Sequence, residues 1–85
     1  MDRYQAIALI IDALDNAESK FPTWGTDPVH AGSVFAEEAG ETVKAINEFY
    51  WSGGNQDEIE KEAAQAGAMA VRVLMGIGKY ERKCD

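Results

Sequence analysis

One stretch decides the fold of this 85-residue chain: residues 28–54 read PVHAGSVFAEEAGETVKAINEFYWSGG. Apolar residues recur in it at intervals of three or four, which is the spacing of one face of an α-helix. Asp27 before Pro28 has the pattern of an N-cap followed by a first helical residue, and the two glycines after Ser52 are a typical helix stop. We therefore predict a helix from Pro28 to about Trp51. The face that it should bury consists of Phe35, Ala39, Val43, Ile46, Phe49 and Tyr50.

The segments on either side of this stretch have the same helical periodicity. Helix one is predicted from Arg3 to about Ser19, and the loop at residues 21–28 contains both prolines, so no helix can run through it. Helix three should begin after a cap at Asn55 or Asp57 and run to about Tyr80, and its many small residues let another helix approach closely. The predicted buried faces are Tyr4, Ile7, Ala8, Ile11 and Leu14 in helix one, and Ile59, Ala63, Ala66, Ala70, Val73, Leu74 and Ile77 in helix three.

The fold class predicted from these segments is all-α. Helices two and three should form an antiparallel hairpin, with helix one packed against it. Residues 1–85 should form a single domain, because a chain of this length is too short for two cores and close to the lower limit for one. Self-association is therefore expected.

Composition excludes several classes of function. Eight Lys and Arg against fifteen Asp and Glu give a net charge of −7, which disfavours binding to polymeric nucleic acid. No apolar run approaches the roughly 18 residues of a membrane-spanning helix, and the amino terminus lacks the features of a secretory signal. Cys84 is the only cysteine, so no internal disulfide can form. We predict a cytoplasmic protein that makes no contact with membranes.

Acidic residues form the most informative pattern in the chain. Glu38 and Glu41 are three residues apart and share a face of helix two, where Glu38 should be half-buried. Glu62 lies on a similar flank of helix three, so the two flanks can face each other when the hairpin closes. Clustered carboxylates repel unless a cation lies among them, and oxygen ligands favour Mg²⁺ or Mn²⁺ over zinc. The alternative interpretation is a solvated helix face without a metal.

The motif Glu37-Glu38-x-x-Glu41, followed after 20 residues by Glu62-x-x-Gln65, resembles the metal motif of MazG-like all-α nucleoside triphosphate pyrophosphohydrolases. That family's pattern is Glu-Glu-x-x-Glu, a spacer, and Glu-x-x-Asp. The resemblance implies Mg²⁺-dependent cleavage of a nucleoside or deoxynucleoside triphosphate into a monophosphate and pyrophosphate, by a homodimer or homotetramer. It implies that Glu38, Glu41 and Glu62 bind the metal together with Gln65. Glu37 would be a ligand or would orient the attacking water, so Glu37 and Glu38 are the catalytic candidates.

Gln65 departs from the family pattern, which has aspartate at this position. An amide oxygen can coordinate Mg²⁺, but it brings no negative charge, so the site should hold the cation more weakly. Two alternatives therefore stay open. The chain could be a binding protein of the same fold that holds metal or nucleotide without turnover, or a structural helical module that only forms oligomers.

Three further residues are candidates for substrate binding. Trp24 could stack on a nucleobase, His30 could touch a phosphate or a base, and Arg72 could grip a phosphate. Each has a structural alternative. Trp24 could close the end of a core, His30 could be a polar residue near a helix start, and Arg72 could pair with a glutamate.

Overall fold

The computed structural model describes residues 1–84, so Asp85, the last residue of the predicted domain, lies outside it. The chain forms α1 (Arg3–Lys20), α2 (Pro28–Ser52) and α3 (Gln56–Met75), and the described residues contain no strand. The prediction of an all-α fold is therefore confirmed. Within residues 1–84, no helix is both long enough and apolar enough to cross a bilayer.

Side-chain caps determine where the helices begin. Asp27 accepts hydrogen bonds from two backbone N–H groups in the first turn of α2, as predicted. Asn55, rather than Asp57, caps α3. At α1 the carboxylate of Asp2 accepts from the Gln5 N–H, and the Gln5 side chain accepts from the Asp2 N–H. This reciprocal pair is a capping box, which satisfies two donors that a helix start otherwise leaves free.

The predicted end of the third helix near Tyr80 is wrong, because α3 stops at Met75. Gly76 begins a turn, and Gly78 has φ 90°, a conformation that residues with side chains rarely adopt. The chain then folds back, and the ring of Tyr80 occupies the space where a side chain at residue 76 would lie. The end of the chain thus returns to the helices instead of extending α3.

α3 is the central helix, because α1 and α2 each pack against it. Leu14 of α1 is buried with Ala68 and Met69 of α3. The α1–α3 contact is close: a Cβ atom added at Gly67 would lie 2.8 Å from the side chain of Ile10. Small residues on α3 therefore allow the close helix packing that was expected of them. The prediction that helix one packs on the hairpin is correct, but the surface that it uses belongs to α3.

The predicted buried faces are largely exposed in the single chain, which corrects the sequence analysis. In α2 the residues with the least exposure are Ala31 and Ala45, at 2% and 6%. In α3 they are Ala68, Met69 and Arg72. Periodicity reveals that a helix has an apolar face, but the packing of neighbouring helices decides which face is covered. Predicted core residues that remain exposed are Tyr4, Ile7, Ala8, Ile11, Phe35, Val43, Ile46, Phe49, Tyr50, Ala63, Leu74 and Ile77.

Candidate metal centre

Three glutamates from two helices meet where α2 packs against α3. Glu38 and Glu41 come from α2 and Glu62 comes from α3, and one carboxylate oxygen from each lies within 4.8 Å of the other two. Glu38 and Glu62 are half-buried and Glu41 is exposed. Helical spacing puts the first two on one face, and the hairpin brings the third to them. The structure thus juxtaposes the two acidic flanks of the helices.

The environment of this cluster disfavours negative charge. Loss of hydration raises the pKa of Glu38, and the nearby charges of Glu41 and Glu37 raise it further. Loss of hydration also raises the pKa of Glu62, as do a hydrogen bond with Glu41 and the charges of Glu41 and Glu38, while Lys61 acts in the opposite direction. Without a positive partner, the fully ionised cluster is therefore a source of repulsion in the folded protein.

Two oxygen atoms of the cluster are buried without a partner. Oε2 of Glu38 and Oε2 of Glu62 have no hydrogen-bond donor in the part of the chain that the structure describes. A buried carboxylate oxygen that has lost its water and found no donor is costly, on the order of 1–3 kcal/mol or more. A cation among the three carboxylates would supply the missing partner. The donor set consists of hard oxygen atoms, which suits Mg²⁺ or Mn²⁺.

A cavity of about 430 Å³ opens beside the cluster. Its wall is formed by the carboxyl-terminal half of α1, the loop that follows it, α2 and α3. Glu38 and Gln65 line this cavity, and so do Trp24, His30 and Arg72. The volume falls within the range of about 300–1,000 Å³ that is typical of small-molecule sites. The three predicted substrate-binding residues therefore surround one cavity, together with one glutamate of the cluster.

The other predicted site residues lie at the edge of this arrangement. Glu37 is exposed and is not one of the three clustered glutamates, and it acts on Glu38 through its charge. Gln65 is half-buried and lies three residues after Glu62 on α3. Its amide is therefore near enough in the helix to join the cluster from the cavity side.

Arg72 is a buried cation, with only 5% of its surface exposed. Its Nη2 donates to the Phe21 carbonyl oxygen at 2.7 Å, and its guanidinium lies 4.7 Å from the centre of the Trp24 ring. These neighbours, a carbonyl and an aromatic face, hold the side chain in place but do not neutralise its charge. An anion in the cavity would meet a positive group that is already oriented and desolvated.

Sequence reasoning missed Lys20 and Asn16, which also line the cavity. Lys20 is the last residue of α1 and directly precedes the loop that carries Trp24. Its position next to that loop in the sequence could have identified it as a candidate for the same site as Trp24. Lys20 and Arg72 bring two cationic side chains to a cavity whose lining has one carboxylate, that of Glu38, and this balance favours an anionic ligand near the two cations.

Comparisons of the chain with protein-family models, with curated proteins and with solved structures find no match.

Proposed function

We propose that this protein is a Mg²⁺-dependent nucleoside triphosphate pyrophosphohydrolase of MazG-like type, which releases a nucleoside monophosphate and pyrophosphate. One observation carries the proposal: Glu38, Glu41 and Glu62 converge within 4.8 Å beside a basic and aromatic cavity. The acidic cluster can hold a cation, and the adjacent cavity suits an anion with a planar ring. Together they match a complex of a metal ion with a nucleotide. The Glu-Glu-x-x-Glu and Glu-x-x-Gln motifs support the same reaction.

The ion would be held by Glu38, Glu41 and Glu62, and Gln65 would add a neutral oxygen. The unpartnered buried oxygens of Glu38 and Glu62 support this assignment, because they are aimed at no donor of the described chain. When bound, Mg²⁺, or Mn²⁺ in its place, would neutralise phosphate charge and lower the pKa of a water molecule. The three carboxylates, which repel one another, would then all be attracted to the ion.

The remaining residues would bind and orient the substrate. Arg72 and Lys20 line the cavity and would offset the charge of the phosphates, which an acidic chain otherwise repels. His30 would donate a hydrogen bond to a phosphate or a base, and Trp24 would stack on the base. Glu37 is exposed beside the cluster, where it could accept a proton from an attacking water.

The reaction is tested by incubating the purified protein with a panel of NTPs and dNTPs, with Mg²⁺ or Mn²⁺, and measuring pyrophosphate. We expect metal-dependent pyrophosphate and monophosphate formation from at least one nucleotide, and none after addition of EDTA. Release of orthophosphate instead would indicate cleavage at a different bond. If no nucleotide gives a metal-dependent product, the enzymatic proposal is overturned. If calorimetry also detects no metal binding, the chain is better explained as a structural helical module that only forms oligomers.

Gln65 supports a second candidate, a protein of this fold that binds metal or nucleotide without turnover. Its amide brings no negative charge to the cluster, so the ion would be held more weakly. The variant Gln65→Asp separates the two candidates. A native protein that binds Mg²⁺ and nucleotide but turns over only after this substitution would favour the binding protein, whereas turnover by the native protein would favour the enzyme.

We also propose that the chain works as a homodimer or homotetramer. A compact monomer of this size exposes about 5,000 Å², whereas this chain exposes 6388 Å². The excess of roughly 1,400 Å² per chain lies within the range of permanent homodimer interfaces. Apolar residues of α2 that the single chain leaves open, Phe35, Val43, Ile46 and Phe49, are suited to such burial. Sedimentation equilibrium at micromolar concentration should give a dimer or tetramer mass, and a monomer mass would contradict this part of the proposal.

A cytoplasmic location is part of the same proposal. Cys84 is free and exposed, and an exposed thiol persists best in a reducing compartment. Polymeric nucleic acid is not a proposed partner, because the net charge of −7 opposes binding to a phosphate backbone.

A further inference from the structure

The indole ring of Trp24 is held in place by a hydroxyl group that comes from the end of the chain. The indole N–H of Trp24 donates to Oη of Tyr80 at 2.8 Å, and the Tyr80 hydroxyl donates to the Val73 carbonyl oxygen at 3.0 Å. On its face, the same indole contacts the guanidinium of Arg72. The hydroxyl therefore links a loop residue to the backbone of α3 through two hydrogen bonds.

The backbone is arranged so that Tyr80 can reach this position. Gly76 leaves room for the tyrosine ring, which a Cβ atom at residue 76 would overlap. The next residue, Glu81, donates its N–H to the Thr26 carbonyl oxygen at 2.9 Å and accepts from the Thr26 hydroxyl at 2.8 Å. The segment after α3 is thus fastened to the loop at two neighbouring points, Trp24 and Thr26.

Tyr80 is not among the residues that line the cavity, whereas Trp24 is. Tyr80 therefore does not form part of the cavity wall itself, and its hydrogen bond to the indole connects it to a residue that does. Trp24 belongs to the connection between α1 and α2, beside Gly25 with φ 85°, and has no helix of its own to fix its orientation. An anchor from another part of the chain is what a loop side chain needs in order to present one fixed surface.

We infer that Tyr80 is a positioning residue that holds the Trp24 ring in the wall of the cavity and thereby sets nucleotide affinity. This role rests on the proposed function, because it assigns Trp24 to the nucleotide. Fixing the ring before the ligand arrives removes the ordering cost from the binding step. The role of Tyr80 is thus in affinity, and the chemistry at the glutamate cluster does not pass through it.

The test compares Tyr80→Phe with Tyr4→Phe, which removes the same hydroxyl from an exposed ring on α1. The first readout is the indole ¹H–¹⁵N resonance of Trp24 in the protein without ligand, with the resonance of Trp51 as internal reference. We expect Tyr80→Phe to shift and broaden the Trp24 signal while Trp51 is unchanged. Tyr4→Phe should leave both signals in place.

The second readout is the affinity, with Mg²⁺, for α,β-imido analogues of the four NTPs and the four dNTPs, which resist cleavage of the bond between the α- and β-phosphates. Loss of one hydrogen bond of ordinary strength predicts that Kd rises about 3–10-fold in Tyr80→Phe. In turnover, KM should rise by a similar factor and kcat should change less than about twofold. A structural role alone would lower the melting temperature without separating KM from kcat.

Gly76→Ala provides an independent route to the same effect, because the added methyl group displaces the Tyr80 ring while the backbone at residue 76, with φ −79°, accepts alanine. It should reproduce the change in the Trp24 resonance and in Kd. If the native protein and the Tyr80→Phe variant bind nucleotide equally well, the positioning role of Tyr80 is overturned and the proposed function is not. If the native protein binds none of the analogues, the proposed function is overturned. If, in addition, the Trp24 resonance of the Tyr80→Phe variant does not shift, Tyr80 does not hold the indole either.

Discussion

Glu38→Gln is expected to lower the rate of metal-dependent pyrophosphate release by about 100-fold or more. Glu38 is the residue that belongs to both parts of the site, since it is one of the three clustered carboxylates and also lines the cavity. Glutamine has the same shape but carries no charge, so the substitution weakens the hold on the cation without opening a hole. The measurement is pyrophosphate release at saturating nucleotide, over a series of Mg²⁺ concentrations.

The matched control for this variant is Glu48→Gln, which removes one charge from an exposed position of the same helix. It should retain the native rate within about twofold, because the effect of a distant surface charge is screened by salt. If high Mg²⁺ restores part of the rate in Glu38→Gln, the loss is in metal affinity. A Glu38→Gln variant that keeps more than about a tenth of the native rate would contradict the role of Glu38 in binding the metal.

The metal-free protein is expected to lose stability as the pH rises from about 5 to 7.5. The pKa values of Glu38 and Glu62 are raised above the ordinary value of 4.5 in the folded chain, first by loss of hydration and then by neighbouring carboxylates. Between the unfolded and folded pKa values the folded state binds more protons, so unfolding releases protons. The stabilisation is complete below about 4.5 and is lost as the pH rises through the raised values.

Mg²⁺ should reverse this loss at pH 7.5, because it replaces the protons as the positive partner of the carboxylates. At 100 times its Kd, the ion stabilises the folded state by about 2.7 kcal/mol, which raises the melting temperature of a domain of this size by about 10–20 °C. Thermal unfolding followed by circular dichroism, in EDTA and in Mg²⁺ at both pH values, measures the effect.

The double variant Glu38→Gln/Glu62→Gln serves as the control for this experiment. The general repulsion of a chain with a net charge of −7 also weakens at low pH, and it acts on both proteins. The difference in melting temperature between the native protein and the double variant therefore reports the contribution of Glu38 and Glu62. Without metal at pH 7.5 the double variant should melt at a higher temperature than the native protein, and Mg²⁺ should change it little. A native protein with the same pH dependence as the double variant, and no response to Mg²⁺, would contradict the metal centre.

Part of the candidate site could be predicted because it lies within one helix. Glu38 and Glu41 share a face of α2 for the same reason that residues three apart meet in any α-helix. The half-burial of Glu38 also follows from its offset around that helix, and the structure confirms it. The meeting with Glu62 depended on how the hairpin closes. The sequence indicated that Glu62 could approach Glu38 and Glu41, but it did not give the distance between their carboxylates.

The surroundings of the cavity could not be predicted, because they depend on contacts between distant residues. For Arg72 the expectation of a phosphate stays a prediction, but its protein neighbours, the Phe21 carbonyl and the Trp24 ring about fifty residues away, were not foreseen. Tyr80 was expected to end a helix, whereas it holds Trp24 across a separation of 56 residues. Neither contact has a local signal. The first depends on how α3 packs beside α1 and the loop that follows it, and the second requires the chain to turn back after Gly76.

The sequence by itself determined that there are three helices, the cap at Asp27 and the acidic face of α2, and it narrowed the cap of α3 to Asn55 or Asp57. These features depend on interactions between residues only a few positions apart, such as a capping side chain and the N–H groups of the next turn. Only the tertiary structure decided that α3 is central, which apolar faces stay open, and which side chains surround the cavity. The rotation of each helix about its axis depends on how the side chains of all three helices pack and on which polar groups lose their hydration. A pattern within one helix does not include these terms.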